Sequence, residues 1–330
     1  TISAQMQGET APEGAAEIRL VLTAVTVEGS TVFSEEQLAA VYAAELGEEI
    51  SLQTVYDIAG RITALYGKAG YLLSRAIVPP QTIDGGAIRL QVIEGFIDEV
   101  LFEDLPERQP ELFNHYRERI RAARPISSRV LERYLMLAND LPGMKFKAVL
   151  RASRSTPGAS TLILKASEDD WDGSLSLDNR GTESSGPWQT ILAGNLYGAS
   201  GRFDRTSLQF AVVPDDLAEL RYARIEHLQT LNGEGLKLSA YLSASSTEPG
   251  DEILRALETD SESRSIGATL AYPWIRSRAE NFSVQGSIEQ LESTTKQFDG
   301  PLSDDRLYPL SLGVSYDRSD TWGGGGVNLL

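Results

Sequence analysis

From about residue 172 to about residue 318 the chain alternates. Leu208, Phe210 and Val212 are interleaved with Ser207, Gln209 and Ala211. Leu236, Leu238, Ala240 and Leu242 are interleaved with Lys237, Ser239, Tyr241 and Ser243. The same holds for Ile266 to Tyr272, Phe282 to Ile288 and Leu310 to Tyr316. A period of two puts apolar side chains on one face of a strand and polar ones on the other, whereas a helix of 3.6 residues per turn would scatter them around its circumference. The spacing predicts about eight strands, near 172–182, 188–199, 205–214, 217–231, 236–248, 263–275, 281–295 and 307–318. Two architectures can hide such faces. In a soluble sandwich the apolar faces meet in a core; in a membrane barrel they meet lipid, and the polar faces line a wet lumen. The polar positions are mostly small, as a lumen requires. Trp171, Trp188, Tyr197, Tyr272, Trp274, Tyr308 and Trp322 fall near strand ends, where a barrel carries its aromatic girdles. Both features favour the barrel.

Composition narrows the function. The 330 residues include 47 acids, 30 bases and no cysteine, for a net charge of −17. Residues 168–330 hold 26 acids and 13 bases, against 21 and 17 in residues 1–167, so most of the excess belongs to the alternating half. Its acids cluster in expected loops such as Glu168-Asp169-Asp170, Asp215-Asp216 and Asp304-Asp305. The balance argues against a nucleic-acid partner, which needs clustered Lys and Arg. Without cysteine there is neither a disulfide nor thiolate chemistry. No apolar run reaches the ~18–20 residues of a membrane helix, which leaves β-spanning untouched. Thr1 to Gly14 has neither the basic start nor the apolar centre of a secretory leader.

The first half has a different rhythm. Residues 1–17 read as a linker. Ile18–Val27 alternates as a strand and ends at Glu28-Gly29. Ser34 opens an S-x-x-Q capping box and a helix through Leu38, Val41, Tyr42 and Leu46. After Ser51 a second helix carries Val55, Ile58, Ala59, Ile62, Leu65 and Tyr66 at i, i+3, i+4, i+7 spacing. Strands follow at Leu72–Val78 and Ile88–Ile93. This β-α-α-β-β order then recurs: a strand at Ile97–Glu103, a helix through Leu112, Phe113, Tyr116 and Ile120, and a helix from Val130 to Leu141. Two strands, Phe146–Ala152 and Leu162–Ala166, flank Thr156-Pro157-Gly158. Repetition of element order is a strong sign of a repeated domain.

The residues Glu28-Gly29, Gly70-Tyr71, Ser74-Arg75-Ala76, Pro80-Gln81, Gly86 and Val92-Ile93-Glu94-Gly95 resemble the POTRA domain of two-partner secretion transporters of the ShlB/FhaC/HecB type. LERYLMLANDLPGM (Leu131–Met144) resembles the family's second POTRA helix. LDNRGTESSG (Leu177–Gly186), AYPWIRSRAEN (Ala271–Asn281) and YDRSDTWGGGG (Tyr316–Gly326) resemble segments of its barrel. The resemblance implies α+β POTRA repeats at 18–95 and 96–167, followed over 168–330 by the first half of an antiparallel transmembrane β-barrel in the cell outer membrane, with the POTRA domains in the periplasm. Family barrels have about sixteen strands, and Val327-Asn328-Leu329-Leu330 again alternates, so the barrel is expected to continue beyond Leu330. The family's inward-folding loop with its Arg-Gly-aromatic tip is expected there, since the one Arg-Gly here, Arg180-Gly181, is followed by Thr182. The seventeen residues before Ile18 leave little room for the family's plug helix.

The partner so implied is an unfolded, secreted haemolysin- or adhesin-type polypeptide of the TpsA kind, with outer-membrane lipid around the barrel. Its expected binding site is the edge strand Leu72, Leu73, Ser74, Arg75, Ala76, Ile77 and Val78, together with Tyr66 and Gln81. An assembly factor of the Bam or Tam type is the alternative, and a soluble β-sandwich binding module a third reading. The sequence shows no nucleophile elbow, phosphate loop or His cluster: His115 and His227 stand apart. No enzyme, metal, cofactor or small-molecule substrate is expected.

Overall fold

The computed structural model describes residues 10–182, 184–298, 300–320 and 326–329. The chain forms two compact units. Among the described residues, one holds those within 10–104, 114–134 and 147–165; the other holds those within 105–113, 135–146 and 166–329. The division therefore runs through the second repeat.

The first repeat comprises β1 (Arg19–Val21), β2 (Ala24–Glu28), α1 (Glu35–Ala39), a 3-10 turn at Ala43–Glu45, β3 (Glu49–Ser51), α2 (Leu52–Lys68), β4 (Arg75–Ile77) and β5 (Ala87–Ile93). The single strand expected over Ile18–Val27 is broken. Leu22 is fully buried, and its N–H donates to Glu48 O, while Thr23 N donates to Gly86 O. The chain bends there, so β1 pairs with β3 and β2 pairs in parallel with β5. Ser34 caps α1 as predicted, with Gln37 completing the box, but the helix lasts one turn and the 3-10 turn takes over. Ser51 caps α2, whose stripe Val55, Ile58, Ala59, Ile62 and Tyr66 is buried against Ile88, Leu90 and Val92. Gly29 turns the chain after β2 at φ +84°, and a Cβ there would strike the Val92 carbonyl, so the Glu-Gly signature marks a close backbone approach.

The second repeat comprises β6 (Phe96–Glu103), α3 (Pro110–Ala122), α4 (Ser128–Asn139), β7 (Met144–Ala152) and β8 (Ala159–Glu168). Its sheet order is β6-β8-β7, matching the β2-β5-β4 order of the first.

The alternating half forms β9 (Trp171–Asp178), β10 (Gln189–Tyr197), β11 (Asp204–Val212), β12 (Arg221–Thr230), β13 (Lys237–Thr247), α5 (Glu252–Ala256), β14 (Asp260–Arg276), β15 (Glu280–Gln297), β16 (Gly300–Leu307), β17 (Leu310–Asp320) and β18 (Gly326–Leu329). All eight expected strands are present, β18 falls on the further alternating run at Val327-Asn328-Leu329, and β16 is additional. The ten join in one antiparallel sheet, with neighbours in chain order except that β16 pairs only the far part of β15. A sandwich needs two sheets facing each other, so that alternative is excluded for the described residues. Pro273, an odd residue inside a strand, sits where the β14–β15 register shifts, the place a proline is tolerated.

Candidate polypeptide-binding edge and membrane-facing sheet

The first sheet has β4 at one edge. Arg75 opposes Ile93, Ala76 opposes Val92 and Ile77 opposes Gln91. Ala76 sends its N–H to Thr63 Oγ1 of α2 at 2.9 Å, and the Thr63 hydroxyl donates to the Ala59 carbonyl at 2.9 Å. Antiparallel residues alternate between facing their partner and facing away. The backbone N–H of Ala76 thus points away from β5, and there a helix hydroxyl holds it, while its side chain is buried. The opposite edge is plugged similarly: Tyr42 Oη donates to the Val25 carbonyl of β2 at 3.3 Å.

The residues expected to bind a partner are not equivalent. Leu72 is half exposed, and Arg75, Ile77 and Val78 are partly exposed. Leu73, Ser74 and Ala76 are buried, and Ser74 Oγ accepts the Gly95 N–H at 3.1 Å. The strand expected over Leu72–Val78 is shortened because Leu72 and Leu73 form a turn, closed by the Ser74 N–H on the Tyr71 carbonyl. Tyr66 is fully buried, so it cannot touch a docked chain. Gln81 is also committed. Its Nε2 donates to Arg89 O at 2.8 Å and its Oε1 accepts from Arg89 N at 2.8 Å, so the side chain replaces a strand neighbour beside β5.

Glu94 belongs to the Val92-Ile93-Glu94-Gly95 motif. Its carboxylate accepts Thr31 N at 2.7 Å, Thr31 Oγ1 at 2.5 Å, Val32 N at 3.1 Å and Tyr66 Oη at 2.7 Å. Tyr66 Oη also meets Ser30 Oγ at 2.8 Å, and Phe33 packs edge-on to the Tyr66 ring. One carboxylate therefore ties the β2–α1 loop to α2 and the end of β5. Burial pushes this carboxyl up, but the four donors outweigh it and hold it below its ordinary value. Burial, with Glu94 beside it, pushes the Tyr66 phenol up.

In the large sheet, register places Leu208, Ile225, Leu242 and Ile266 in one row across four strands. They are 46%, 42%, 53% and 52% exposed. Leu238 and Leu270 form part of another row and are also exposed. Such a continuous apolar face is costly in water and favourable in hydrocarbon. Trp171, Trp188, Trp274 and Tyr308 are exposed near strand ends, as girdles require, whereas Tyr197 donates to Asp172 Oδ2 at 2.5 Å. Trp322 lies outside the described residues. One position further along, the other face is polar: Glu226 meets Arg205 at 3.3 Å and Arg224 at 2.8 Å, and Arg224 stacks on Tyr241 at 3.6 Å.

Two sequence signatures meet in the second unit. Asp140, from LANDLPG, takes a bidentate pair from Arg276 of the P-x-x-R-S-R segment, at 2.6 and 2.7 Å. Lys237 Nζ donates to the Asp140 carbonyl at 3.1 Å, and Asn281 bridges Arg276 to Asp317 at 2.8 Å on each side. These groups line a cavity of about 300 Å³ with Tyr272, Pro273 and Ser283. Gly235, at φ +86°, also lines it, and a Cβ there would strike Leu137 and Pro273. Sequence reasoning saw both motifs but not their pairing, since no local signal joins positions 136 residues apart.

The family model of the ShlB-type POTRA domain matches residues 20–95. The first repeat is a POTRA domain. Sequence relatives extend the likeness. The heme/hemopexin transporter protein HuxB of Haemophilus influenzae is 24% identical over 267 residues, covering 79% of this chain and 46% of that protein. The outer membrane transporter CdiB of Dickeya dadantii is 23% identical over 178 residues, covering 53% and 31%. Among solved structures, CdiB from Escherichia coli superposes with a TM-score of 0.71 at 17% identity, over 98% of this chain and 63% of that one. CdiB from Acinetobacter baumannii gives 0.59 at 17% identity, over 91% and 59%. The POTRA-plus-barrel fold is thereby shared with the CdiB structures. The chain spans about half the length of the HuxB proteins it matches.

Proposed function

We propose that this chain is the POTRA and leading barrel portion of an outer-membrane transporter of the two-partner secretion type, which takes an unfolded TpsA-like polypeptide in the periplasm and passes it through its barrel. The observation that carries the reading is the succession along one chain: a ShlB-type POTRA domain, then an antiparallel sheet with a lipid-suited outer face and a polar, charged inner one. The role is passage of a polypeptide rather than catalysis, and the relatives' names as transporters support it.

At the first POTRA domain the client would lie along Arg75–Ile77, with Leu72 and the half-buried Tyr71 and Val78 offering apolar contact. The guarded Ala76 N–H makes pure strand addition there short, so side-chain contact carries more of the affinity. The test is binding of the partner's N-terminal secretion domain to the full chain in detergent, with the domain unfolded and folded. The reading expects preference for the unfolded form and loss of affinity in Leu72→Asp. Equal binding of both forms, or none, would overturn it.

A further inference from the structure

The junction between the two repeats is built from backbone. β5 ends at Ile93 and β6 begins at Phe96, so the linker is Glu94-Gly95 alone. α2 ends in a full Schellman motif: Gly70 stands at φ +88°, its N–H donates to Gly67 O at 3.0 Å, and Tyr71 N donates to Tyr66 O at 2.9 Å. The Gly70 carbonyl then leaves the first repeat. It accepts the N–H of Ser128, the first residue of α4, at 2.7 Å. Ser127 caps that helix, its carbonyl taking Leu131 N and its Oγ taking Val130 N. The Ser128 N–H is one of the amides that a helix start leaves without an intrahelical partner. The C-terminal end of one helix thus meets the N-terminal end of another across the repeat boundary, and their dipoles attract.

Further contacts brace the junction. Ile126, buried in the α3–α4 loop, donates its N–H to Gly95 O at 2.9 Å. Arg124 of that loop stacks over Phe96, 4.1 Å from the ring centre. At Gly158, between β7 and β8, a Cβ would stand 2.7 Å from the Glu94 carbonyl. The client turn lies in the same place: Leu72 is two residues beyond Gly70, and Ser74 Oγ holds the Gly95 N–H. The second repeat therefore grips this turn from both ends.

We propose that the two POTRA repeats form one rigid arm, locked by the α2–α4 joint, with Gly70 and Ser128 as positioning residues for the turn at Leu72–Ser74. The lock itself is a property of these two repeats. Its use in export rests on the transporter reading: a client seated on the first repeat is held in fixed register with the second, and a swing between the repeats is not the transfer step.

The chain has no cysteine, so paired labels carry no background. Spin labels on Ala64→Cys in α2 and Ala122→Cys in α3, both exposed, report the distance between the repeats in the full chain in detergent by double electron–electron resonance. The parent should give one narrow distribution. Ser128→Pro removes the joining N–H at the one helical position where proline is tolerated, and should widen the distribution about twofold or more. Ser128→Ala keeps the N–H and should leave the width unchanged. Gly70→Ala would set a Cβ 2.9 Å from Ser128 Oγ and should widen it, whereas Gly47→Ala, with the same backbone strain at φ +85° but open space around it, should not. Hydrogen exchange at Leu72–Ser74 should quicken in Ser128→Pro and stay slow in Ser128→Ala. An unchanged far-ultraviolet spectrum shows that each variant folds, and if Ser128→Pro fails that check the Gly70→Ala and Gly47→Ala pair decides.

A broad distribution in the parent, a narrow one in Ser128→Pro, or equal widening in Gly70→Ala and Gly47→Ala would overturn the lock. In the complete transporter, Ser128→Pro should lower partner release at unchanged barrel insertion, and normal release beside a widened distribution would overturn the use of the lock in export. If the unaltered transporter releases no partner, the exporter reading fails and the distance result stands.

Discussion

Replacing Glu94 by glutamine changes one atom and should release a loop. The carboxylate holds four donors at 2.5 to 3.1 Å. Hydrogen bonds to a charged group contribute about 1.5–3 kcal/mol each, with strong non-additivity within one cluster. Thr31 is exposed, so its donors regain water, whereas the Val32 N–H and the fully buried Tyr66 hydroxyl regain little. The net loss is then about 2–4 kcal/mol. At 1.36 kcal/mol per decade this is a roughly 30- to 1000-fold fall in protection of the loop amides. Hydrogen exchange of the full chain in detergent, read at Thr31 and Val32, measures it directly. Acid adds a second signature. The folded carboxyl is held below its ordinary value of 4.5, so it stays charged in the folded domain at pH values where the unfolded chain already binds a proton. Its contribution is complete above that ordinary value and falls away as pH drops through the folded one. The gap between the parent and E94Q should therefore be constant from neutral pH to about pH 5 and close only below that. Equal protection in the two proteins, or a gap that closes between pH 7 and pH 5, would refute the assignment of Glu94 as the loop's anchor.

Thr63→Val removes the hydroxyl that holds Ala76, and should cost about 1 kcal/mol in urea unfolding while raising the affinity of extended peptides for the β4 edge; unchanged affinity would show that the cap does not limit access. Asp140→Ala strands Arg276 and Lys237 beside a partly enclosed cavity and should destabilise the second unit by about 2 kcal/mol. In a double-mutant cycle with Arg276→Ala the two losses should be strongly non-additive, and simple additivity would deny the pairing. Leu242→Lys on the apolar row should reduce assembly into lipid vesicles by an amount corresponding to about 2–4 kcal/mol at mid-bilayer, whereas Ser243→Lys on the polar face should have little effect. Equal effects would mean that the faces are assigned the wrong way round.

The repeats and the strands were legible because each rests on period. The α2 stripe from Val55 to Tyr66 turns inward as its spacing requires, and the eight alternating runs are all strands. That same stripe already placed Tyr66 inside, which rules against its expected partner contact. What escaped sequence reading was set by distant partners. Ile18–Val27 alternates throughout, yet Leu22 bonds to the backbone around Gly47 and Glu48, and the strand breaks. Gln81 is expected from its motif at the partner site, yet Arg89, eight residues on, offers it both a donor and an acceptor. β16, with Pro301, Asp304 and Asp305, has little strand propensity, and its pairing with the far part of β15 holds it extended.

The central claim is that the POTRA domain selects an unfolded polypeptide that the barrel then exports. The most direct test deletes residues 20–95 from the complete transporter in a Gram-negative host, confirms by surface proteolysis that the barrel is inserted, and measures the partner released into the medium. The account predicts full release with the intact protein and none without the domain, with the partner retained in the periplasm. Undiminished release from the deleted transporter would contradict it.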